Sequence, residues 1–246
     1  MPDSIRYLTV RADDAGSAAG ANRAIRETLR AGVVTAVGFM AVAPAFADAV
    51  ALLSGELGNA DVGVHATLTA EWDSVRWGPL SPRAEVRSLV RDDGTLPVHA
   101  GALAERFLVA EAVTEIRRQI HTVRATGLRP SYLDTHMGID RLPGMAEALA
   151  RLADEEGLRF TARQPDWVPY RAGGDGWLEA ILQLPPGRYQ LITHPGTDSA
   201  DLQSFIHAGL APGQIARERA AETRLLCAPE FRQALVGAGI RLVRFS

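Results

Sequence analysis

Apolar, β-branched stretches alternate with amphipathic helical stretches over almost the whole chain, and this order restricts the fold more than any other feature. Arg6 to Ala12 reads as a short strand bounded by Asp13-Asp14. Asn22 to Ala31 reads as a helix, with Ala24, Ile25 and Leu29 on one face. Val33 to Ala43 is apolar enough for a buried strand, and Pro44 opens a second helix. Val62 to Leu68 is the third strand, and Ala104 to Ala125 the longest helix. A strand at Ser131 to Leu133, a helix at Met145 to Glu156 and a strand at Leu158 to Ala162 follow. Tyr189 to Thr193 is a strand, Ile215 to Leu226 a helix, and Ile240 to Phe245 closes the chain as a strand.

Parallel strands need crossover connections, usually helical, so this alternation implies a mainly parallel sheet covered by helices. About seven strands in 246 residues suit an irregular (β/α) TIM-like barrel, folded as a single domain, better than an open doubly wound sheet. No Gly-x-Gly-x-x-Gly follows the first strand, which points the same way. Residues 70–103 and 163–187 interrupt the alternation with long, Pro- and Gly-punctuated segments, the usual form of binding loops or lids.

Composition excludes several classes of function. The 29 acidic residues nearly balance the 26 basic ones, so no field attracts nucleic acid or an anionic membrane. Every basic residue is arginine, and a chain without lysine cannot form a Schiff base or supply a phosphate-loop amine. The lone Cys227 excludes an internal disulfide and a thiolate metal cluster. No apolar run approaches the ~18 residues of a membrane span. The opening residues lack a basic start followed by a hydrophobic stretch, so a cytoplasmic location is expected.

The polar residues fall at strand ends. Asp13 and Asp14 end the first strand, His65 lies in or near the end of an apolar one, Asp134 and His136 follow a short strand, and His194 precedes Pro195-Gly196. Strand C-termini of a (β/α) barrel converge on one face, where active sites are built. Two imidazoles and a carboxylate leave open positions on a divalent cation, which acidifies water and polarises a carbonyl. A second carboxylate can then take the water proton, and a further histidine can protonate the leaving group. Adjacent side chains on an extended strand point to opposite sides, so Asp13 and Asp14 can meet only where the backbone bends. His99, His121 and His207 lie in helix-like or loop-like segments and are read as non-catalytic.

At these same residues the sequence resembles the YdjC/ChbG-like carbohydrate deacetylases, a group that includes the hopanoid-associated HpnK proteins. Ala12-Asp13-Asp14-Ala15-Gly16 with Gly20-x-Asn22, and Gly63-Val64-His65-Ala66-Thr67-Leu68-Thr69, are similar to family motifs. So are Glu115-x-x-x-Gln119, Leu133-Asp134-Thr135-His136, Thr193-His194-Pro195-Gly196 and Arg219-x-x-Glu222, in order along nearly the whole chain. The resemblance implies removal of an acetyl group from an N-acetylated sugar or glycosylated small molecule, aided by one divalent metal ion, usually Mg²⁺, with Zn²⁺ as the alternative. It assigns Asp14, His65 and His136 to the metal, Asp13 to the general base and His194 to proton donation or orientation.

Trp72 and Trp77, in the first long segment, and Arg163 and Asp134 are the expected substrate contacts; aromatic rings pack against sugar C–H faces. Trp167, in the second segment, shares that reading, whereas Trp177 is read rather as pinning its loop onto the barrel. The partner expected is a small-molecule sugar, without nucleic acid or membrane, and a homodimer is a possible assembly. Where family members often continue as His-His-x-His, this chain has Met137-Gly138-Ile139-Asp140. Two other readings stay open: hydrolysis of another bond, such as a phosphoester, and an inactive carbohydrate-binding homologue.

Overall fold

The computed structural model describes residues 5–162, 165–169 and 171–245. Its strands are β1 (Arg6–Ala15), β2 (Ala36–Phe39), β3 (Asp61–Ala66), β4 (Tyr132–Thr135), β5 (Arg159–Phe160), β6 (Asp166–Trp167), β7 (Gly187–Thr193) and β8 (Ile240–Leu242). They form one curled sheet of eight parallel strands in the order β5-β4-β3-β2-β1-β7-β6. β8 lies beside the first residues of β1, and β2 beside its last ones. The helices are α1 (Ala19–Arg30), α2 (Phe46–Leu53), α3 (Ala100–Ala104), α4 (Val109–Ala125), α5 (Met145–Glu155), α6 (Trp177–Leu182), α7 (Ala200–Gln203), α8 (Gln214–Cys227) and α9 (Pro229–Gly237). The architecture is the expected irregular (β/α) barrel, left open between β5 and β6. Among the described residues no helix is long and apolar enough to cross a membrane.

The structure corrects several expected boundaries. β1 runs on through Asp13 and Asp14 to Ala15, because its pairing with β2 resumes there after a bulge between Ala12 and Ala15. The helix expected over 104–125 starts only at Val109, as α4, and the short α3 ends at Ala104. The Leu108 amide at the start of α4 donates to Ser88 Oγ (2.9 Å), and Ser88 in turn donates its backbone N–H and its hydroxyl to Glu111 (2.7 Å each). A serine twenty residues upstream thus caps this helix, and no local signal announces it. The segment 163–187 is not bare loop either: it holds β6, added to the edge of β7, and α6.

Within β1 the alternation is strict. Leu8, Val10 and Ala12 belong to the apolar core, whereas Thr9, Arg11 and Asp13, each at most 2% exposed, share the opposite face. That polar face is where the chemistry collects.

Candidate active site

Asp13 and Asp14 reach one cavity through the β1 bulge. Asp14 has φ 65°, left-handed backbone that turns its side chain toward the side Asp13 already faces. The turn beyond is secured by Asn22, which accepts from the Gly16 amide (2.8 Å) and donates to the Ala45 carbonyl (3.1 Å). Space for Asp13 comes from Gly38 on β2, where a Cβ would lie 3.0 Å from Asp13 Oδ1 and 3.3 Å from His65 Cβ.

His65 sits on β3 directly opposite Asp134 of β4. Its Nδ1 is 3.1 Å from Asp134 Oδ1, and its Nε2 is 3.5 Å from Asp14 Oδ1. His136 follows β4 and brings Nδ1 to 3.5 Å from the same Asp14 oxygen. The two rings meet edge to face, their centroids 5.2 Å apart. His194 closes β7 and lines the cavity. Its turn is gripped by α8: the His194 amide donates to Glu222 (2.6 Å), the Gly196 amide donates to Thr223 Oγ1 (2.9 Å), and a Cβ on Gly196 would collide with Arg219 at 2.7 Å. The cavity of about 430 Å³ is in the range of small-molecule sites.

Two arginines that the sequence did not single out as site residues balance this charge. Arg11, 2% exposed, donates to Asp13 Oδ2 (2.6 Å) and pairs with Asp134 Oδ2 (2.8 Å). Arg219 on α8 donates to Asp14 Oδ2 (2.7 Å) and lies over the Trp72 ring. Burial pushes the Asp13 carboxyl up, further than Arg11 and His65 pull it down. Burial acts on Asp14 too, but Arg219 and His136 outweigh it and hold that carboxyl well below the usual range. Burial opposes the charge on His65, yet Asp134 and Asp13 raise it to about 9. In His194, burial together with Arg219 and the other imidazoles prevails over Asp14, and the ring falls to about 3.

Among the described residues two groups of side chains have the geometry to hold a cation, each with its ligand atoms within 4.8 Å of one another: Asp14, His65 and His136, and Asp13, His65 and Asp134. The second already has the Arg11 guanidinium against both carboxylates. In the first, Asp14 Oδ1 is buried without a hydrogen-bond partner and faces two imidazole nitrogens. A divalent cation fits that donor set.

The expected substrate contacts fare unevenly. Trp72 lines the cavity but is only 2% exposed, stacked on Phe205 at 4.7 Å beneath Arg219, so it supports the wall. Trp77 is not at the cavity: its indole N–H donates to the Thr69 carbonyl (3.1 Å), a clamp inside its own loop. Asp134 is wholly buried behind His65 and does not line the cavity. Arg163 lies outside the described residues. Trp177 is fully buried, whereas Trp167 is 42% exposed and lines the cavity mouth with Arg141. Arg11 was findable, since it stands two residues before Asp13 and a strand repeats every two. Glu71, whose Oε2 is 3.4 Å from His136 Nε2, carries no such signal.

The sequence model of a family described as YdjC-like protein matches residues 7–236. A carbohydrate deacetylase of Geobacillus stearothermophilus is 27% identical over 98% of this chain and 97% of its own length. A carbohydrate deacetylase of Enterococcus faecalis is 31% identical over 60% of this chain and 56% of its own length. A crystal structure from Enterococcus faecalis, of a protein described as a candidate for cellobiose-phosphate cleavage, superposes with a TM-score of 0.79 at 23% identity, covering 98% of each chain; that likeness carries the fold alone.

Proposed function

The chain belongs to the YdjC-like family, and from that premise we propose that it is a carbohydrate deacetylase, removing an acetyl group from the nitrogen of an N-acetylated sugar or glycosylated small molecule. In this reading Asp14, His65 and His136 hold one divalent cation, Asp13 is the general base and His194 serves the leaving group. The observation that carries it is the orphaned Asp14 oxygen between two imidazoles, with a second carboxylate, Asp13, beside them in one cavity. The resemblance favours Mg²⁺; the pair of imidazoles suits Zn²⁺ as well.

When bound, such a cation supplies Lewis acidity toward the acetyl carbonyl and the attacking water. The protein's own groups do the rest. Arg11 holds Asp13 by Oδ2 and leaves Oδ1 without a partner, able to take the proton of the attacking water. The water oxygen becomes part of acetate, the amide C–N bond breaks, and the amine takes up a proton relayed through His194. Arg219 keeps the second Asp14 oxygen engaged, so the first alone faces the imidazoles. Trp167 at the mouth offers a ring face to a sugar. The chain is read as a single domain, 1–246, in which segments 70–103 and 163–187 choose the substrate; Glu71 and Trp72 of the first and Trp167 and Val168 of the second line the cavity.

A phosphoester hydrolase with two cations suits this site less well, because the second group of possible ligands is already neutralised by Arg11. The deciding experiment measures acetate release from a panel of N-acetyl sugars, with the protein stripped by a chelator and then reloaded with Mg²⁺ or Zn²⁺. Acetate that appears only on reloading is the expected result. A protein that binds cation and sugar but releases no acetate would be an inactive homologue, and the proposal would fall.

A further inference from the structure

Among the described residues, three other than glycine hold a positive φ: Asp14 (65°), Glu71 (58°) and Met137 (53°). All three line the same cavity. Left-handed backbone costs a residue with a side chain roughly 1–2 kcal/mol, and such strain persists where the surroundings enforce it, most often at functional sites. Asp14 already has a place in the proposed cation site, and Met137 directly follows His136. Glu71 has no part in the reaction as described so far.

Its surroundings do enforce it. The Trp72 amide donates to the Ala70 carbonyl (2.6 Å), closing a three-residue turn with Glu71 at its centre. On one side the Ala70 amide donates to the Pro97 carbonyl (2.7 Å); on the other, Trp72 stacks on Phe205, and the Arg219 guanidinium lies over both rings. The turn directs the Glu71 side chain inward, leaving it 16% exposed. Its Oε2 stops 3.4 Å from His136 Nε2, a buried nitrogen without a hydrogen bond. The other nitrogen of that ring, Nδ1, faces Asp14. His65 has the same arrangement, with one nitrogen toward Asp14 and the other toward the Asp134 carboxylate. Each imidazole therefore stands between the shared Asp14 oxygen and a carboxylate behind it.

We propose that Glu71 is the positioning residue of His136: its carboxylate accepts a hydrogen bond from Nε2–H, fixes the tautomer that leaves Nδ1 bare, and aims Nδ1 at the position shared with Asp14 and His65. The inference rests on the reading of those three residues as a cation site. A carboxylate behind a ligating imidazole fixes ring orientation and raises basicity, and losing one typically costs about 10–100-fold in metal affinity.

The test compares wild type with Glu71→Gly, Glu71→Asp and His136→Ala. Glycine is the residue best suited to a positive φ, so Glu71→Gly removes the carboxylate without endangering the turn. Nitrogen-15 spectra of the metal-free protein, at a pH where the rings are neutral, report each histidine's tautomer, and calorimetry with Mg²⁺ or Zn²⁺ alone reports affinity. Expected are an Nε2–H tautomer for His136 in wild type, a mixture of tautomers in Glu71→Gly with His65 unchanged, about 10–100-fold weaker cation binding, and substantial recovery of both in Glu71→Asp. If His136 and the affinity are the same in wild type and Glu71→Gly, while His136→Ala abolishes binding, Glu71 has no such role and the cation site stands. If wild type binds neither cation, the cation reading fails, and the His136 tautomer alone decides whether Glu71 holds the ring.

Discussion

The two adjacent aspartates have opposite surroundings although one peptide bond separates them. Arg11 grips Asp13 from within the barrel while burial raises its carboxyl, and Arg219 grips Asp14 from α8 and lowers it. That contrast matches a base beside a ligand. Asp13→Asn should therefore keep cation affinity and lose about 10²–10⁴-fold in kcat, the usual cost of a missing general base. Asp14→Asn should weaken cation binding, with activity partly returning at high metal concentration. Titrating both variants with metal while following acetate release separates the roles; if Asp13→Asn is the variant that loses the cation, the assignments must be exchanged.

At the scale of elements, the family motifs act largely as packing and hydrogen-bonding devices. Glu115 and Gln119, one turn apart on α4, are fully buried and bind loop backbone. Glu115 accepts from the Leu80 (3.0 Å) and Ser81 (2.8 Å) amides, and Gln119 both accepts from and donates to the Thr67 backbone. They anchor the connection that leaves β3 beyond His65 and carries Glu71. Gly63, two residues before His65, exists for Tyr132 of β4: a Cβ there would lie 2.1 Å from the ring. Because Tyr132 is fully buried it cannot step aside. Gly63→Ala should cost about 1–3 kcal/mol or more by overpacking, read as a lowered denaturation midpoint, and adding Tyr132→Leu should restore part of it. A Gly63→Ala protein as stable as wild type would mean that β3 and β4 can separate, contrary to this packing.

For the whole molecule, the curled sheet brings Asp13, Asp14, Asp134 and Glu71 together around His65 and His136, and Arg11 and Arg219 pair with three of these carboxylates. A divalent cation bound by the buried Asp14, His65 and His136 would link three strand ends, so it should stabilise the fold as well as serve the reaction. At a hundred times its dissociation constant a ligand adds about 2.7 kcal/mol. For a chain of this size that corresponds to roughly 5–10 °C in Tm. Scanning calorimetry should show the rise with Mg²⁺ or Zn²⁺, its reversal by a chelator and its absence in His136→Ala; an equal rise in that variant would locate the cation elsewhere.

Much of this protein is decided by local sequence. Strand and helix alternate because short apolar, β-branched stretches alternate with amphipathic helical ones, and that order already implies a parallel barrel with Asp13, Asp14, His65, His136 and His194 at strand ends on one face. What chain order cannot state is which distant groups meet once the sheet curls. Arg219 is 205 residues from Asp14, and His65 is 69 from Asp134. Trp77 and Asp134 read as substrate contacts until burial turned one into a loop clamp and the other into the support of His65. The left-handed turns at Asp14 and Glu71 belong to the same class, since neither residue type demands that backbone. Tertiary contacts impose it: strand pairing that resumes beyond a bulge for Asp14, and a loop wedged under Arg219 for Glu71.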